Sequence, residues 1–293
     1  MFIDGCERDW EALPHPDPRL TVGIDGGYVH AREGENRKAG WFEVIVGKSI
    51  PEAGDNKRFA FVHQHEKKPR RHLVTALNSQ GFSMRQSITF LSDGGDTVRH
   101  LQAQVAPYSE HVLDWFHVTM RLTVLKQMAK TFASLELLAD LESRLEKVKW
   151  FLWHGNAFKG LQRLRWMMMD AECYEPRETP HPKRYRKLET TLSEFYTYVE
   201  NNAPFIPNYG ERYRHGECIS TAFVESAVNE IVSRRMVKKQ QMRWTQEGAH
   251  LLLQVRTKTL DGDLRDAFCG WYPGMAADGT LSERTLRAPT TSC

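Results

Sequence analysis

Three carboxylates stand where a carboxylate is expensive. Asp25 closes the apolar run Leu20-Thr-Val-Gly-Ile-Asp25 and is followed by two glycines; Asp93 closes Ser87-Ile-Thr-Phe-Leu-Ser-Asp93 and is followed by two more. Aspartate is depleted in strands, and a buried carboxylate costs free energy unless it is paired or bound to metal. The glycines let a ligand or another backbone approach closely. The plainer reading of each Asp-Gly-Gly is a turn. In open α/β sheets, however, ligand sites lie beyond the carboxyl ends of strands. Asp96, next to Thr97-Val98, reads as a helix N-cap instead. The third carboxylate, Glu225, belongs to Thr221-Ala-Phe-Val-Glu225-Ser-Ala-Val-Asn-Glu230-Ile-Val-Ser-Arg234-Arg235. Helical spacing gives this segment an apolar face of Val224, Val228, Ile231 and Val232, with Glu225 beside it and Glu230 further round. Arg235, Lys239 and Arg243 form an i, i+4, i+8 row next to the Glu225 meridian, with Arg234 and Lys238 adjoining. A surface helix with charge pairs such as Glu230–Arg234 is the bland alternative. Three hard oxygen donors together suit Mg²⁺. Two such ions, about 3.5–4 Å apart, activate the attacking oxygen and stabilise the leaving one in phosphoryl transfer.

Elements that position these acids can be read around them. Residues 20–25, 41–46 and 58–62 read as three strands, bounded by Gly, Asp and Asn. A helix is predicted over 69–79, a strand over 87–91, a helix over about 97–104 and a fifth strand over 111–115. Three meandering strands followed by helix, strand, helix, strand, helix is the element order of the ribonuclease H-like fold, an α/β layer with a mixed sheet. From 116 to 201 the pattern is helical, and Leu135, Leu138, Leu141, Leu145, Val148 and Leu152 mark one apolar helix face. A further long helix is predicted from Ser220 or Thr221 to about Trp244. The domain reading is a linker over 1–19, the first part of the core over 20–132, an all-helical insertion over 133–203, the last part of the core over 204–272, and a flexible tail over 273–293.

Composition sets the broad class. The chain has 293 residues, 41% hydrophobic and 26% charged, with net charge +3. Those proportions describe an ordinary globular protein. No apolar run reaches the roughly 20 residues of a membrane span, and the first ten residues lack a signal-peptide pattern; the expected location is the cytoplasm. Five scattered cysteines with no C-x-x-C pair give no zinc ribbon or disulfide scaffold. Basic clusters at Lys57–Arg58, over 67–72, over 183–187 and over 234–243 fit a polyanion-binding surface, or else solvated faces.

The blocks Val-Gly-Ile-Asp25-Gly-Gly-Tyr-Val, Leu-Ser-Asp93-Gly-Gly-Asp, Leu-Asp114-Trp-Phe-His117-Val and Phe-Val-Glu225-Ser-Ala-Val-Asn-Glu resemble the signature blocks of bacterial insertion-sequence DDE transposases. The branch they resemble is the ISKra type, related to Mutator-like and ISL-type enzymes, and the Arg234-Arg-Met-Val-Lys-Lys-Gln-Gln-Met-Arg-Trp block belongs to the same likeness. The resemblance spans residues 20–273. It implies Asp25, Asp93 and Glu225 as a metal-binding catalytic triad holding two Mg²⁺ ions (or Mn²⁺), with a helical insertion in the 132-position interval between the second and third acids. It further implies double-stranded DNA as partner, both transposon ends and target, and a homo-oligomer when active. Asp114 and His117 match the family's C/D-x-x-H motif, which reads either as a buried carboxylate–imidazole brace or as a DNA contact. Arg234, Arg235, Lys238, Lys239 and Arg243 become candidate DNA-binding cations. Trp153, by likeness to related eukaryotic enzymes, is a candidate for stacking on a displaced base, against a plainer place in the core. The family's N-terminal DNA-binding region has no counterpart in the 24 residues before Asp25. The expectation is therefore a transposase catalytic core without that region. The alternatives are an inactive or accessory remnant that binds DNA, or a ribonuclease H-like nuclease without strand transfer.

Overall fold

The computed structural model describes residues 19–32, 40–83, 86–237 and 242–276. In chain order the strands are β1 (Leu20–His30), β2 (Trp41–Pro51), β3 (Lys57–Val62), β4 (Ile88–Ser92) and β5 (Glu110–Leu113). The helices are α1 (Pro69–Ser79), α2 (Asp96–Val105), α3 (Trp115–Ala129), α4 (Leu141–Trp153), α5 (Ala157–Glu172), α6 (Pro182–Asn202), α7 (Tyr209–Arg214), α8 (Ala222–Val228), α9 (Gln246–Leu260) and α10 (Leu264–Trp271). The sheet runs β3-β2-β1-β4-β5, antiparallel from β3 to β1 and parallel from β1 to β5. This mixed sheet flanked by helices is consistent with a ribonuclease H-like fold. Among the described residues no helix is long and apolar enough to cross a membrane.

Alternation along β1 sorts the two layers. Leu20, Val22 and Ile24 join Phe61, Phe90, Leu73, Leu77 and Leu101 on the face covered by α1 and α2. Val29 joins Val44, Val46 and Val62 on the opposite face, under Ala227, Ile231, Val232 and α9 residues Ala249 and Leu253. Gly23, Asp25 and Gly27 share parity with Val29 and so face α8. Gly23 is small because the helix needs the space. A Cβ there would collide with Cγ2 of Val224 and meet the Phe223 ring at 2.7 Å, while one on Gly27 would touch Val228 at 3.9 Å. Helix α8 therefore lies along β1 with Val224 over Gly23 and Val228 over Gly27.

The free edge of β3 is covered by side chains rather than by a sixth strand. From α9 and the turn after it, Gln254 Nε2 donates to the Ala60 carbonyl at 2.7 Å, Asp261 accepts from Arg58 N–H at 2.9 Å, and His250 Nδ1 accepts from Val62 N–H at 3.5 Å. Positions 250, 254 and 261 recur at helical spacing, so one helix face satisfies an edge that would otherwise be open to pairing.

Several boundaries differ from the sequence reading. Asp25-Gly26-Gly27 neither turns nor ends a strand: the three residues pair with Val46, Ile45 and Val44 in mid-ladder. The fifth strand stops at Leu113, and Trp115 already begins α3. Asp96 is the first residue of α2, not its cap, and pairs with Arg99. The Leu135–Leu152 run divides at Asp140 into a 3₁₀ turn (Glu136–Leu138) and α4, although Leu138, Leu141, Leu145, Val148 and Leu152 are all buried. The helix expected to reach Trp244 is α-helical only to Val228 and continues as a π-helix over Asn229–Val237. Arg256, from α9, donates to the carbonyls of Glu230 and Ile231, oxygens that a widened turn presents outward. Trp244 pairs like a strand residue with His30 and Arg32.

Replacing Gly23 by Ala should push α8 off β1, lowering unfolding free energy by about 1–3 kcal/mol in urea melts. Wild-type stability in that variant would show that α8 does not seat on the glycine.

Candidate active site

Strand register brings three aspartates level. Gly23 pairs with Leu91, and Leu91 with Val112. Two residues further along each parallel strand come Asp25, Asp93 and Asp114. Neighbouring strands lie about 4.8 Å apart, so a row of carboxylates runs from mid-β1 across the carboxyl ends of β4 and β5. Asp25 Oδ1 accepts from Gly26 N–H at 2.8 Å, and Asp93 Oδ1 from Gly95 N–H at 3.0 Å. Gly94 holds a φ of +88°, and a Cβ there would run into the Asn202 side chain. The turn that presents Asp93 thus requires glycine.

The row is electrostatically loaded. Burial pushes the Asp25 carboxyl up to about 6, against the pull of His117 and of the Gly26 N–H, and the charges of Asp93 and Asp114 push it the same way. His117 shows the complementary effect. Burial opposes its charged form, but the hydrogen bond and charge of Asp114, with Asp25 and Asp93 beyond, raise its pKa above the ordinary value.

Asp114 is fully buried and heavily bonded. It caps α3 through Phe116 N–H at 2.8 Å and meets His117 Nδ1 at 2.6 Å. It also accepts from the Thr221 N–H at 3.2 Å and from the Thr221 hydroxyl. The pair is more than a brace within the sheet, because Thr221 is the residue from which α8 starts. Trp115 N–H reinforces the joint by donating to the Ile219 carbonyl at 3.0 Å.

Glu225 lies one turn beyond Thr221, on the same side of α8. That side faces Asp114. Glu225 is half-buried, and among the described residues its carboxylate makes no hydrogen bond or ion pair with either Asp25 or Asp93. The donor atoms of the three acids do not all fall within 4.8 Å of one another; among the described residues only Glu66, His72 and His250 do so.

The helical segment contributes residues that sequence reading missed. Asn202 and Tyr198, near the end of α6, back the Asp93 turn, and Asn202 Oδ1 is buried without a hydrogen-bond partner among the described residues. Burial pushes the Tyr198 phenol up, and Arg121 packs over its ring at 4.2 Å. His111 on β5 bonds the Ser92 hydroxyl at 2.8 Å, just before Asp93. None of these types stands out in sequence, because nothing local in the chain marks a contact made across helices.

The expected DNA-binding cations are dispersed. Arg234 and Arg235 are exposed on the π-helical segment, and Arg243 is exposed just before Trp244, outside any helix. Lys238 and Lys239 lie outside the described residues. Lys57 and Arg58 are neutralised by Asp263 and Asp261. Trp153 packs against Trp115 at 5.0 Å and Tyr209 at 6.3 Å, whereas Trp150 is exposed.

Two measurements test this geometry. Thr221→Val removes a hydrogen bond to a buried carboxylate and should cost about 1.5–3 kcal/mol in chemical denaturation; an unchanged midpoint would mean Asp114 does not hold α8. The second concerns pH. Burial, with Arg99 nearby and only Asp93 opposing, lowers the His111 pKa to about 4. Its unfolded value is about 6.5, so the unfolded state binds more protons between these limits and stability falls as pH drops through them. Between pH 7 and pH 5, His111→Gln should lose on the order of 1–2 kcal/mol less than wild type. Equal losses would refute the neutral buried imidazole.

No family model matches the chain, and neither does any curated protein sequence. Among solved structures it is similar to the Drosophila P element transposase strand transfer complex, with TM-score 0.39 and 12% identity, covering 84% of this chain and 78% of that one. It is also similar to NurA, with TM-score 0.16 and 15% identity, covering 75% of this chain and 65% of that one.

Proposed function

We propose that the chain is the catalytic core of a DDE-type transposase of the ISKra branch, cutting DNA at the ends of an insertion sequence and joining the freed 3′-hydroxyl to target DNA. The observation that carries this reading is the level row of Asp25, within β1, and Asp93, at the carboxyl end of the parallel β4, with the Glu225 helix tied to the same row through Asp114 and Thr221. Within the reading, Asp25, Asp93 and Glu225 are the catalytic carboxylates, and α4 to α6 form the helical insertion.

A divalent ion suits this donor set. The Asp25 carboxyl is raised chiefly by burial, with the charges of Asp93 and Asp114 adding to it, and hard carboxylate oxygens are what Mg²⁺ takes. When bound, the metal would lower the pKa of the attacking hydroxyl or water and neutralise charge building on the leaving oxygen. The protein's own part is positional. Gly26 and Gly95 N–H groups orient one oxygen of each aspartate and leave the other free. Asp114 fixes the pitch of α8, and with it the distance from Glu225 to the row. Exposed Arg234, Arg235 and Arg243 would neutralise phosphates, so binding should weaken with salt. Unlike Trp153, whose ring is occupied by neighbours, Trp150 is open to a base.

A nicking and joining assay on linear duplex with Mg²⁺ is the test. Asp93→Asn should abolish cleavage while DNA retention on a gel stays within about twofold, since one uncharged substitution leaves the phosphate contacts intact. Undiminished cleavage by that variant would remove Asp93 from the mechanism. Nicked products that are never joined would favour a nuclease without strand transfer, and wild-type DNA binding without any cleavage would favour an accessory remnant.

A further inference from the structure

Away from the acidic row, three residues far apart in sequence bring metal-ligating atoms together. Glu66 is in the connection between β3 and α1, His72 in the first turns of α1, and His250 on α9. His72 Nε2 lies 2.6 Å from Glu66 Oε2, and His250 Nε2 lies 3.6 Å from the same oxygen. All three donor atoms fall within 4.8 Å of one another. Their side chains are only 18%, 16% and 13% exposed for His72, Glu66 and His250. The cluster sits at the free edge of β3, two strands away from Asp25 in the sheet.

We propose that Glu66, His72 and His250 form a binding site for a Zn²⁺-type transition-metal ion, separate from the carboxylate row. Ligands about 2.0–2.1 Å from a tetrahedral zinc stand about 3.3 Å apart. The two separations from Glu66 Oε2, 2.6 and 3.6 Å, straddle that value, and the third lies within 4.8 Å. Two imidazoles with one carboxylate favour zinc over magnesium, which takes oxygen donors alone.

The supporting contacts are those a metal site uses. Glu66 Oε1 accepts from Lys68 N–H at 2.7 Å, which holds the carboxylate and turns Oε2 toward the imidazoles. The His72 ring stacks on Phe61 at 5.3 Å, fixing its plane. The ring of His65 lies 5.1 Å from that of His250, outside the three-donor group, so water would take the fourth position. An ion on His250 Nε2 leaves Nδ1 to carry the proton. The 3.5 Å contact from Val62 N–H is then given up, and it is the longest of the three bonds that cover the β3 edge. The ion would in return clamp α9 to the β3–α1 corner.

Titrating ZnCl₂ into the chelator-stripped full chain by calorimetry tests this. One equivalent should bind with sub-micromolar affinity, as structural zinc sites do. His72→Ala and His250→Ala should each weaken binding at least about 100-fold, beyond the 10–100-fold that losing a mere supporting partner costs. Should His72→Ala fail to fold by circular dichroism, His250→Gln and Glu66→Gln give the same reading. Asp93→Asn should bind zinc as wild type does, which separates this site from the proposed catalytic one. The proposal is overturned by an absence of saturable binding, by affinity that survives the histidine substitutions, or by loss of binding in Asp93→Asn.

Discussion

The Asp114 carboxylate is the constraint around which the rest is arranged. An ion with no exposed surface costs several kcal/mol unless each oxygen is satisfied. Here one oxygen serves the α3 N-terminus and the Thr221 N–H, while the other takes the Thr221 hydroxyl and the His117 imidazole. Those partners come from segments that are separate in sequence. Satisfying one charge therefore fixes where β5 ends, where α3 starts and where α8 begins. Loss of any partner would leave a buried charge short of a bond, so the joint is held more tightly than a hydrophobic contact of the same size.

That joint also explains why an acidic row can exist at all. Asp25, Asp93 and Asp114 stand level on adjacent strands; burial raises the Asp25 carboxyl most, and the charges of the other two raise it further. The repulsion is tolerated because His117 and the helix and turn N–H groups face the row, and because the strands beneath are locked by an apolar layer on each side. Gly23 and Gly27 let α8 descend onto β1, with Val224 over the first and Val228 over the second. Sites that concentrate like charge on a rigid scaffold are where ion or substrate binding is expected, since an arriving cation relieves the strain already present.

Much of this was legible in the chain. Element order gave the sheet, and Asp25, Asp93 and Glu225 stood out because their residue types conflict with apolar surroundings. What was illegible has physical causes. Asp-Gly-Gly reads as a turn locally, yet Gly26 and Gly27 continue a ladder because β2 supplies their partners, Ile45 and Val44, from further along the chain. The π-helical turn after Val228 depends on Arg256 reaching back to two carbonyls, a contact that periodicity cannot encode. Thr221 looked like a helix start, and its more important role, as donor to Asp114, needed the coordinates. Glu66, His72 and His250 carry no recognisable spacing, since they meet only when α9 covers the edge of β3.

The two donor clusters differ in a way that bears on how one chain could use two kinds of ion. The row at β1 and β4 offers carboxylate oxygens alone, widely set and half-open, which suits an ion that keeps part of its water shell and exchanges it for phosphate. The cluster at β3 offers two imidazoles and a single carboxylate oxygen, close together and mostly buried, which suits a softer ion that sheds its water and stays. Helix α9 connects the two clusters. Its Arg256 braces the π-helical segment that follows Glu225, and one and a half turns earlier its His250 reaches the β3 edge. Any shift of α9 along that edge would be felt in the helix that carries the third acid.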